Sequence, residues 1–413
     1  MIQRPKGTKD VLPEESYIWQ NIESKLKNIF TVYGYNEIRV PVFEHTELFQ
    51  RGVGDTTDVV QKEMYTFEDK GGRSITLRPE GTAGVVRAYI ENGMASKPSP
   101  VKMWYNMGMY RYENVQKGRL REFHQIGAEL IGSQSYEADV EVISMANSIF
   151  NALELKNITL NINSIGCPKC REEYQKALKE FFAPKLNEYC QTCKARFDKN
   201  PMRILDCKEK HCKELNEGAP SILDYLCEEC SLHFEATKKM LTALGINFKV
   251  DSRIVRGLDY YTKTVFEFVD EKSALTVLAG GRYDGLIEEL GGQPTPAIGF
   301  AMGVERIIEL INADKIEKNV PKLYIANIGE ESNVFASKLT EELRSKSVYV
   351  IKDISEKSVK AQFKYADKIG AKYVITIGED EIEQNKVKLK NMITGEEIEA
   401  KLDANEIANL IKE

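Results

Sequence analysis

Apolar side chains recur along the chain at two spacings, one typical of helices and one of strands. Ile18, Ile22 and Leu26 follow one another at every fourth position, which predicts an amphipathic helix. Over residues 102–132 strand-like runs flank a polar loop at 114–118, which predicts a hairpin of two strands. Helical and extended segments are therefore mixed from the beginning of the chain.

The same patterns predict further elements before residue 312. Strands are expected at 36–42, 157–165, 262–269 and 274–279, and helices at 136–153 and 304–311. The segment between the second and third of these strands is rich in Lys and Glu and is helical in pattern. It interrupts what otherwise resembles one continuous domain.

A charged stretch that ends in proline, at 312–321, marks a boundary in the chain. Beyond it, strands are predicted at 323–328, 348–351, 373–377 and 387–392, and helices at 332–345, 358–369 and 404–412. Strands and helices that alternate at these lengths indicate a small α/β domain with a mainly parallel sheet.

The composition is that of a globular protein with two or three domains. The chain has 413 residues, of which 42% are hydrophobic and 29% charged. Its formal net charge of −6 creates no overall positive field, which argues weakly against a nucleic-acid partner. The sequence has neither a secretory signal nor an apolar run that could span a bilayer, so we expect a cytoplasmic protein without membrane contact.

All eight cysteines lie in one segment, where they form close pairs. The pairs are Cys167 with Cys170, Cys190 with Cys193, Cys207 with Cys212, and Cys227 with Cys230. In the cytoplasm such pairs favour a metal over disulfides; two pairs complete one tetrahedral zinc site, and all four pairs could complete two. The spacing predicts a structural zinc but leaves open which pairs share it. The alternative is that the cysteines are buried small apolar residues.

The predicted hairpin carries an unusually polar set of side chains. Because strand residues alternate between faces, Arg111 and Glu113 lie on the same face of the first strand. Phe123, Gln125 and Glu129 likewise lie on the same face of the second strand. If the strands pair, one surface presents guanidinium groups, carboxylates, an amide and a ring, which suits a ligand that carries phosphate. A solvated face of mixed charge is the alternative.

Three other segments favour a phosphate-carrying ligand over a solvated face. Glu80 and Thr82 follow a proline near a predicted helix start, and residues 256–261 supply an arginine and two phenols. The segment 299–306 runs from a strand into a helix and places Arg306 early in that helix, where exposed N–H groups also attract anions.

Together these motifs resemble those of the histidyl-tRNA synthetases, which are class II aminoacyl-tRNA synthetases. The three class motifs correspond to 39–44, 110–129 and 299–306, and the histidine-specific signatures to RGLDYYTKTVFEF at 256–268 and AGGRYDGL at 279–286. The sequence departs from the usual second motif at Tyr112 and at Asn114-Val115, where contacts with the tRNA acceptor end are expected to differ.

The resemblance implies a fold and a domain organisation. An α+β catalytic domain with a mainly antiparallel sheet would comprise residues 1–166 and 236–320. A small Cys-rich insertion domain at 167–235 would clamp the tRNA acceptor stem. A C-terminal α/β anticodon-binding domain would comprise residues 322–413, and the first class motif would form a homodimer interface.

It also implies a role for each site residue. Arg111, Arg256 and Arg306 would be catalytic, and ATP with Mg²⁺ would be held by Arg111, Glu113, Arg119, Phe123 and Arg306. The histidine pocket would consist of Glu80, Thr82, Gln125, Glu129, Tyr260, Tyr261 and Tyr283. The implied reaction is the ATP-dependent ligation of L-histidine to tRNA(His) through an enzyme-bound histidyl-adenylate.

Two other functions are weighed against this one. A regulatory paralogue of ATP phosphoribosyltransferase shares the catalytic core, but it usually lacks an anticodon-type domain and loses residues that correspond to Arg256, Tyr261 and Arg306. A zinc-containing RNA-binding module without activity would not need the ATP-holding arginines, and the acidic composition does not support it.

Overall fold

The computed structural model describes residues 1–54, 57–116 and 118–411, which form two compact units. The units comprise residues 1–313 and 314–413. Within the described ranges, no helix is both long enough and apolar enough to cross a membrane.

An eight-stranded sheet is the framework of the first unit. Its strands are β1 (Asn36–Glu37), β5 (Val101–Tyr110), β6 (Glu122–Ile131), β7 (Ile158–Ser164), β8 (Lys249–Val250), β9 (Thr262–Asp270), β10 (Thr276–Arg282) and β11 (Ala297–Gly303). Their order is β1-β5-β6-β11-β10-β9-β7-β8, and only the two edge pairings, β1 with β5 and β7 with β8, are parallel. The expected mainly antiparallel sheet is therefore confirmed.

A smaller sheet and a set of helices complete this unit. The small sheet has the order β2-β4-β3, with β2 at Phe43–His45, β3 at Thr66–Glu68 and β4 at Ser74–Leu77. The helices are α1 (Pro13–Val32), α2 (Thr46–Val53), α3 (Thr82–Glu91), α4 (Tyr136–Ala152), α5 (Pro168–Phe182), α6 (Gln191–Lys199), α7 (Met202–Leu205), α8 (Lys210–Leu215), α9 (Glu228–Ala243), α10 (Leu286–Glu289) and α11 (Val304–Leu310).

The apolar stripe of α1 packs against the large sheet. Ile22, Leu26 and Phe30 are buried, and the Phe30 ring stacks on that of Trp104 in β5 with the centroids 4.9 Å apart. Proline at the first position of α1 suits a helix start, where its missing N–H costs no hydrogen bond. Helical spacing and burial therefore agree over the whole element.

The strand predicted at 36–42 is wrong beyond its first two residues. Asn36 and Glu37 pair with β5, and the Ile38 N–H still donates to the Trp104 carbonyl at 2.8 Å. Pro41 cannot donate to a ladder, and the chain leaves the sheet edge before it forms β2.

A buried ion pair ties α4 to the sheet and to α9. Asp139 and Arg282 are both fully buried, and Arg282 Nη2 lies 2.5 Å from Asp139 Oδ1. The other oxygen, Oδ2, accepts from Thr264 Oγ1 at 2.7 Å and lies 2.5 Å from His233 Nε2. Burial alone would raise the pKa of Asp139, but the His233 hydrogen bond and the Arg282 charge outweigh it and lower the pKa.

The second unit has a mixed sheet rather than the mainly parallel one predicted. Its elements are β12 (Leu323–Asn327), β13 (Val350–Lys352), β14 (Tyr373–Ile377), β15 (Lys386–Asn391), β16 (Glu397–Lys401), α12 (Glu330–Ser345), α13 (Val359–Lys368), α14 (Glu379–Gln384) and α15 (Ala404–Leu410). Strand β12 is parallel to β13 and β14, but β15 is antiparallel to β14 and β16. A short turn joins β15 to β16, and such a connection can only give antiparallel strands. The last predicted helix extends to 412, which lies outside the described residues.

Candidate active site

A cavity of about 580 Å³ opens beside the large sheet of the first unit. Every residue that the sequence analysis assigned to ATP or histidine lies on its wall: Glu80, Thr82, Arg111, Glu113, Arg119, Phe123, Gln125, Glu129, Arg256, Tyr260, Tyr261, Tyr283 and Arg306. Segments that are far apart in the chain thus meet around one space. Their individual roles remain predictions.

Buried carboxyl and hydroxyl groups form one end of the cavity. Glu129, on β6, accepts hydrogen bonds from Thr82 Oγ1 at 2.7 Å and from the Tyr283 hydroxyl at 2.6 Å. Glu80 accepts from the backbone N–H groups of Thr82 and Ala83, both at 2.8 Å, and so holds the first turn of α3. Each carboxyl group is therefore fixed by neighbouring donors before any ligand enters.

Burial changes the protonation of these carboxyl groups. It raises the pKa of Glu129 from 4.5 to about 8, although the hydrogen bonds from Tyr283 and Thr82 oppose the shift. Burial also raises the pKa of Glu80, against its backbone hydrogen bonds. The unliganded site therefore holds Glu129 mostly protonated at neutral pH.

Three phenol rings form the wall beside Glu129. The Tyr260 ring centroid lies 4.7 Å from that of Tyr261 and 5.6 Å from that of Tyr283. Burial raises the pKa of all three, so each remains a neutral hydroxyl. Nearby, Gln125 Oε1 is buried without a hydrogen-bond partner among the described residues, which is typical of a group that a ligand completes.

A glycine on β11 makes room for Glu129. A Cβ atom at Gly299 would lie 1.7 Å from Glu129 Oε2 and 2.6 Å from the Ala128 carbonyl oxygen. No side chain fits in that space, so the close approach of the two strands depends on glycine at this position.

Several guanidinium groups lie close together on the cavity wall. Arg306 donates to the carbonyls of Gly118 at 3.2 Å and Thr276 at 2.5 Å. Burial lowers the pKa of Arg306, and the charges of Arg119 and Arg111 lower it further. Mutual repulsion of this kind is relieved by a bound anion, so the arrangement favours a phosphate ligand.

Two of these arginines are held next to a carboxylate and a ring. Arg111 donates to the Pro79 carbonyl at 2.8 Å, and its guanidinium carbon lies 5.3 Å from the centre of the Phe123 ring. Arg119 Nη1 lies 3.4 Å from Glu113 Oε2. Aromatic stacking on Phe123 and contacts with guanidinium groups are therefore both available in this part of the cavity.

Arg256 lies on the cavity wall beside Glu267 and Tyr261. It forms an ion pair with Glu267 on β9, and its guanidinium carbon lies 5.8 Å from the centre of the Tyr261 ring. Burial would lower the pKa of Arg256, but the charge of Glu267 outweighs it and the pKa is raised. Its Nε is buried without a hydrogen-bond partner in the described part of the chain, so one donor remains for a ligand.

Three polar residues on the cavity wall that sequence reasoning did not assign are Glu267, Thr276 and Asp206. Glu267 holds Arg256, the Thr276 carbonyl holds Arg306, and Asp206 comes from the insertion. The signature at 256–268 contains Glu267 but does not show which side chain it meets. Asp206 belongs to no recognised motif, and its neighbour Cys207 was interpreted as a metal ligand.

The unusual residues of the second class motif lie away from the cavity. Tyr112, Asn114 and Val115 are exposed, whereas Arg111 and Glu113 line the cavity. The Tyr112 ring lies under the Arg121 guanidinium, 3.8 Å away. The departure from the family pattern therefore changes the outer face of the loop.

The cysteines form two groups that could each hold a metal ion. Cys167, Cys170, Cys227 and Cys230 form one group, and Cys190, Cys193, Cys207 and Cys212 form the other. Within each group all sulfur atoms lie within 4.8 Å of one another, and the cysteines are free thiols. The grouping that the sequence left open is thus first pair with fourth and second with third.

Comparisons with known proteins show the family of the chain. A family model described as histidyl-tRNA synthetase matches residues 7–307, and one described as an anticodon binding domain matches 322–413. The histidine–tRNA ligase of Acetivibrio thermocellus is 58% identical over 408 residues, which cover 98% of each chain. That of Clostridium novyi is 54% identical over 414 residues, 99% of each chain.

Solved structures show the same architecture. The crystal structure of apo S. aureus histidyl-tRNA synthetase has a TM-score of 0.84 and 41% identity, and covers all of both chains. A structure from Bacillus halodurans, titled an ATP phosphoribosyltransferase regulatory subunit/histidyl-tRNA synthetase, has a TM-score of 0.68 at 21% identity, covers 91% of this chain and 98% of its own, and shows a shared fold alone. On the family match and the full-length identity, the chain belongs to the histidyl-tRNA synthetase family.

Proposed function

We propose that this chain ligates L-histidine to tRNA(His) at the cavity in two steps. In the first, the histidine carboxylate attacks the α-phosphorus of ATP, an O–P bond forms, and pyrophosphate leaves. In the second, the 3′-terminal ribose hydroxyl of the tRNA attacks the activated carbonyl, and AMP leaves. Family membership supports this function, and the meeting of separated arginines beside a pocket of buried carboxyl groups carries it.

The arginine end of the cavity would hold the triphosphate. Arg111 and Arg306 would bind phosphate oxygens, and Arg119 would add charge at the distal phosphates. Glu113 and Phe123 would hold and stack the adenine. Magnesium would enter with ATP, bound to its phosphates. In-line displacement at phosphorus requires positioning and charge neutralisation more than an acid or base, which fits a site rich in fixed guanidinium groups.

Arg256 would contact the α-phosphate, where negative charge shifts during the displacement. Its ion pair with Glu267 fixes one side of the guanidinium, and its buried Nε remains available. A donor that is positioned in advance stabilises the transition state without reorganisation.

The carboxyl end would select histidine. Glu129 and Gln125 offer hydrogen-bonding groups, and Tyr260, Tyr261 and Tyr283 surround them with neutral hydroxyls. Glu80 and Thr82 complete the pocket. An amino acid without imidazole nitrogens would leave buried polar groups without partners, and this penalty is large enough to give selectivity without editing.

Other parts of the chain would bind the tRNA and form the dimer. We assign residues 1–166 and 236–320 to the catalytic domain, 167–235 to a Cys-rich insertion that contains structural Zn²⁺, and 322–413 to anticodon binding. We also propose a cytoplasmic homodimer. Phe43 on β2 and Phe67 on β3 lie on one face of the small sheet and are 57% and 49% exposed, which a second copy would cover.

A regulatory paralogue without ligase activity is disfavoured. Arg256, Tyr261 and Arg306 are all present and line one cavity. A protein that only regulates another enzyme does not need these residues together in one site. The shared fold with a regulatory subunit at 21% identity does not bear on activity.

The test is histidine-dependent exchange of labelled pyrophosphate into ATP by the purified protein without tRNA. Exchange is expected for the wild type, and Arg256→Ala should lower its rate at least about 100-fold while histidine binding is largely kept. Arg253→Ala is the matched control, because that arginine is 86% exposed and pairs with Asp251 at the surface. A folded wild type without exchange would refute the function, and undiminished exchange by Arg256→Ala would remove Arg256 from the mechanism.

A further inference from the structure

Along the insertion, one cysteine group encloses the other. Cys167 and Cys170 are at the start of α5, and Cys227 and Cys230 are at the start of α9, so this outer group joins the first helix of the insertion to its last. The inner group lies wholly between them, around α6, α7 and α8. One closed loop is nested inside the other.

In each group, the sulfur geometry fits one tetrahedral metal ion. A Zn–S bond of about 2.3 Å places neighbouring sulfurs about 3.8 Å apart. The Sγ atom of Cys167 lies 3.6 Å from that of Cys170 and 3.9 Å from that of Cys227, and the Sγ atoms of Cys190 and Cys207 are 3.9 Å apart. A disulfide would require about 2.05 Å.

The surrounding backbone also suits thiolate ligands. The Cys227 N–H donates to Cys170 Sγ at 3.1 Å, and the Cys193 N–H donates to Cys190 Sγ at 3.4 Å. Such donors stabilise the negative charge of a metal-bound sulfur. Gly166 has a φ of +64°, and a Cβ there would lie 2.5 Å from the Cys170 Cβ, so the backbone beside the outer group has no room for a side chain.

The inner group encloses a segment that reaches the loop of Arg256. Arg203 lies between Cys193 and Cys207 and is 5% exposed. Its Nη2 donates to the Gly257 carbonyl at 2.7 Å, and its Nε donates to Asp259 Oδ1 at 3.2 Å. Gly257 directly follows Arg256, and both acceptors lie within an irregular stretch between β8 and β9.

From these contacts we propose that the insertion holds two separate structural Zn²⁺ ions, one in each cysteine group, and that the inner ion braces the loop of Arg256 through Arg203. Without the inner ion, the short helices around Arg203 lose the cross-link that closes them, because a segment of this size has little core of its own. Arg203 is a positioning residue that acts through the loop. This second part rests on the proposed function, whereas the metal assignment does not.

Metal content tests the first part. Full-length protein, purified without added metal and dialysed, should contain two zinc ions per chain by mass spectrometry of the elements. The variants Cys170→Ser/Cys230→Ser and Cys193→Ser/Cys207→Ser should each retain one. If these variants do not fold, titration of the wild type with a chelator and a thiol reagent should release the zinc in two steps, each of which exposes four thiols. Disulfides, iron, or loss of both ions from either folded variant would overturn the assignment.

Kinetics test the brace. We expect Arg203→Ala to lower kcat of pyrophosphate exchange about 10- to 100-fold, with the KM for histidine changed less than about 3-fold and both zinc ions kept. Arg203→Lys should recover part of the rate, because an ammonium can still reach one of the two acceptors. Arg253→Ala is again the control.

A double-mutant cycle ties the brace to the metal. The inner cysteine variant should lower kcat as Arg203→Ala does, and the combination should lower it little further, because both changes free the same loop. Wild-type kcat in Arg203→Ala, or fully additive losses, would overturn the brace. Absence of exchange by the wild type would refute the proposed function and the brace with it, while the zinc content would still decide the metal assignment.

Discussion

The unliganded protein should lose stability with rising pH because of one carboxyl group, Glu129. Its pKa is raised from 4.5 to about 8 in the folded state. Between these values the folded protein binds more protons than the unfolded chain, so the free energy of unfolding falls as pH rises. From pH 6 to pH 9 the loss from this group is about 2–3 kcal/mol, at about 1.4 kcal/mol for each unit of pKa.

The perturbation is Glu129→Gln, which keeps the shape of the side chain and removes the titration. In the variant this part of the pH dependence should vanish, so the wild type should lose about 2–3 kcal/mol more than the variant between pH 6 and pH 9. Glu288→Gln serves as the control, because Glu288 is an exposed carboxylate of the same unit and should not change the dependence.

Urea unfolding followed by tryptophan fluorescence provides the assay. The chain has two tryptophans, Trp19 and Trp104, and both lie in the first unit, so the signal reports the domain that contains Glu129. Free energies of unfolding from the midpoints at the two pH values give the difference directly. Parallel pH dependences in the wild type and Glu129→Gln would show that Glu129 is already ionised at pH 6 and would refute the assigned protonation.

Two further substitutions test the packing around the site. Gly299→Ala would place a Cβ 1.7 Å from Glu129 Oε2, so kcat/KM for histidine in pyrophosphate exchange should fall at least about 100-fold, whereas Gly285→Ala, with open space at its Cβ, should leave it unchanged. Equal activity of the two variants would contradict the close approach. Asp139→Ala would remove the fully buried partner of Arg282 and leave that charge only the partly exposed Asp284, so it should lower the free energy of unfolding by about 3–5 kcal/mol in the urea assay. The exposed Asp198→Ala is its control, and an equal, small effect of both would show that the ion pair stabilises little.

The sequence was most informative where structure is determined locally. Helix α1 follows from apolar residues at helical spacing, and the hairpin of β5 and β6 from two runs around a polar loop. Strand β16 was missed although Glu397 to Lys401 alternate charged and apolar residues, because the alternation lasts only five residues and only Ala400 among them is buried. Without β16 and its antiparallel pairing with β15, the predicted strands and helices mostly alternate, which explains why a mainly parallel sheet was expected.

The site residues were predicted through the family motifs, but their partners were not. The ion pair of Arg256 with Glu267 and the arrival of Asp206 depend on which surfaces meet after folding. The pairing of the cysteines has the same origin, because it depends on where α5 and α9 begin in space. Spacing along a chain determines which groups are available, whereas tertiary packing determines which of them touch.

The insertion leaves the large sheet from β7 and returns as β8, and these strands lie side by side, with Asn161 opposite Lys249. Its two stems are therefore neighbours, and a foreign module could be grafted there without displacing any other strand. A chimaera built in this way would nevertheless need a substitute for the Arg203 contacts with Gly257 and Asp259. Exchange of this module between relatives is thus topologically simple, but it is constrained by the contacts of Arg203, which lies in the middle of the inserted segment.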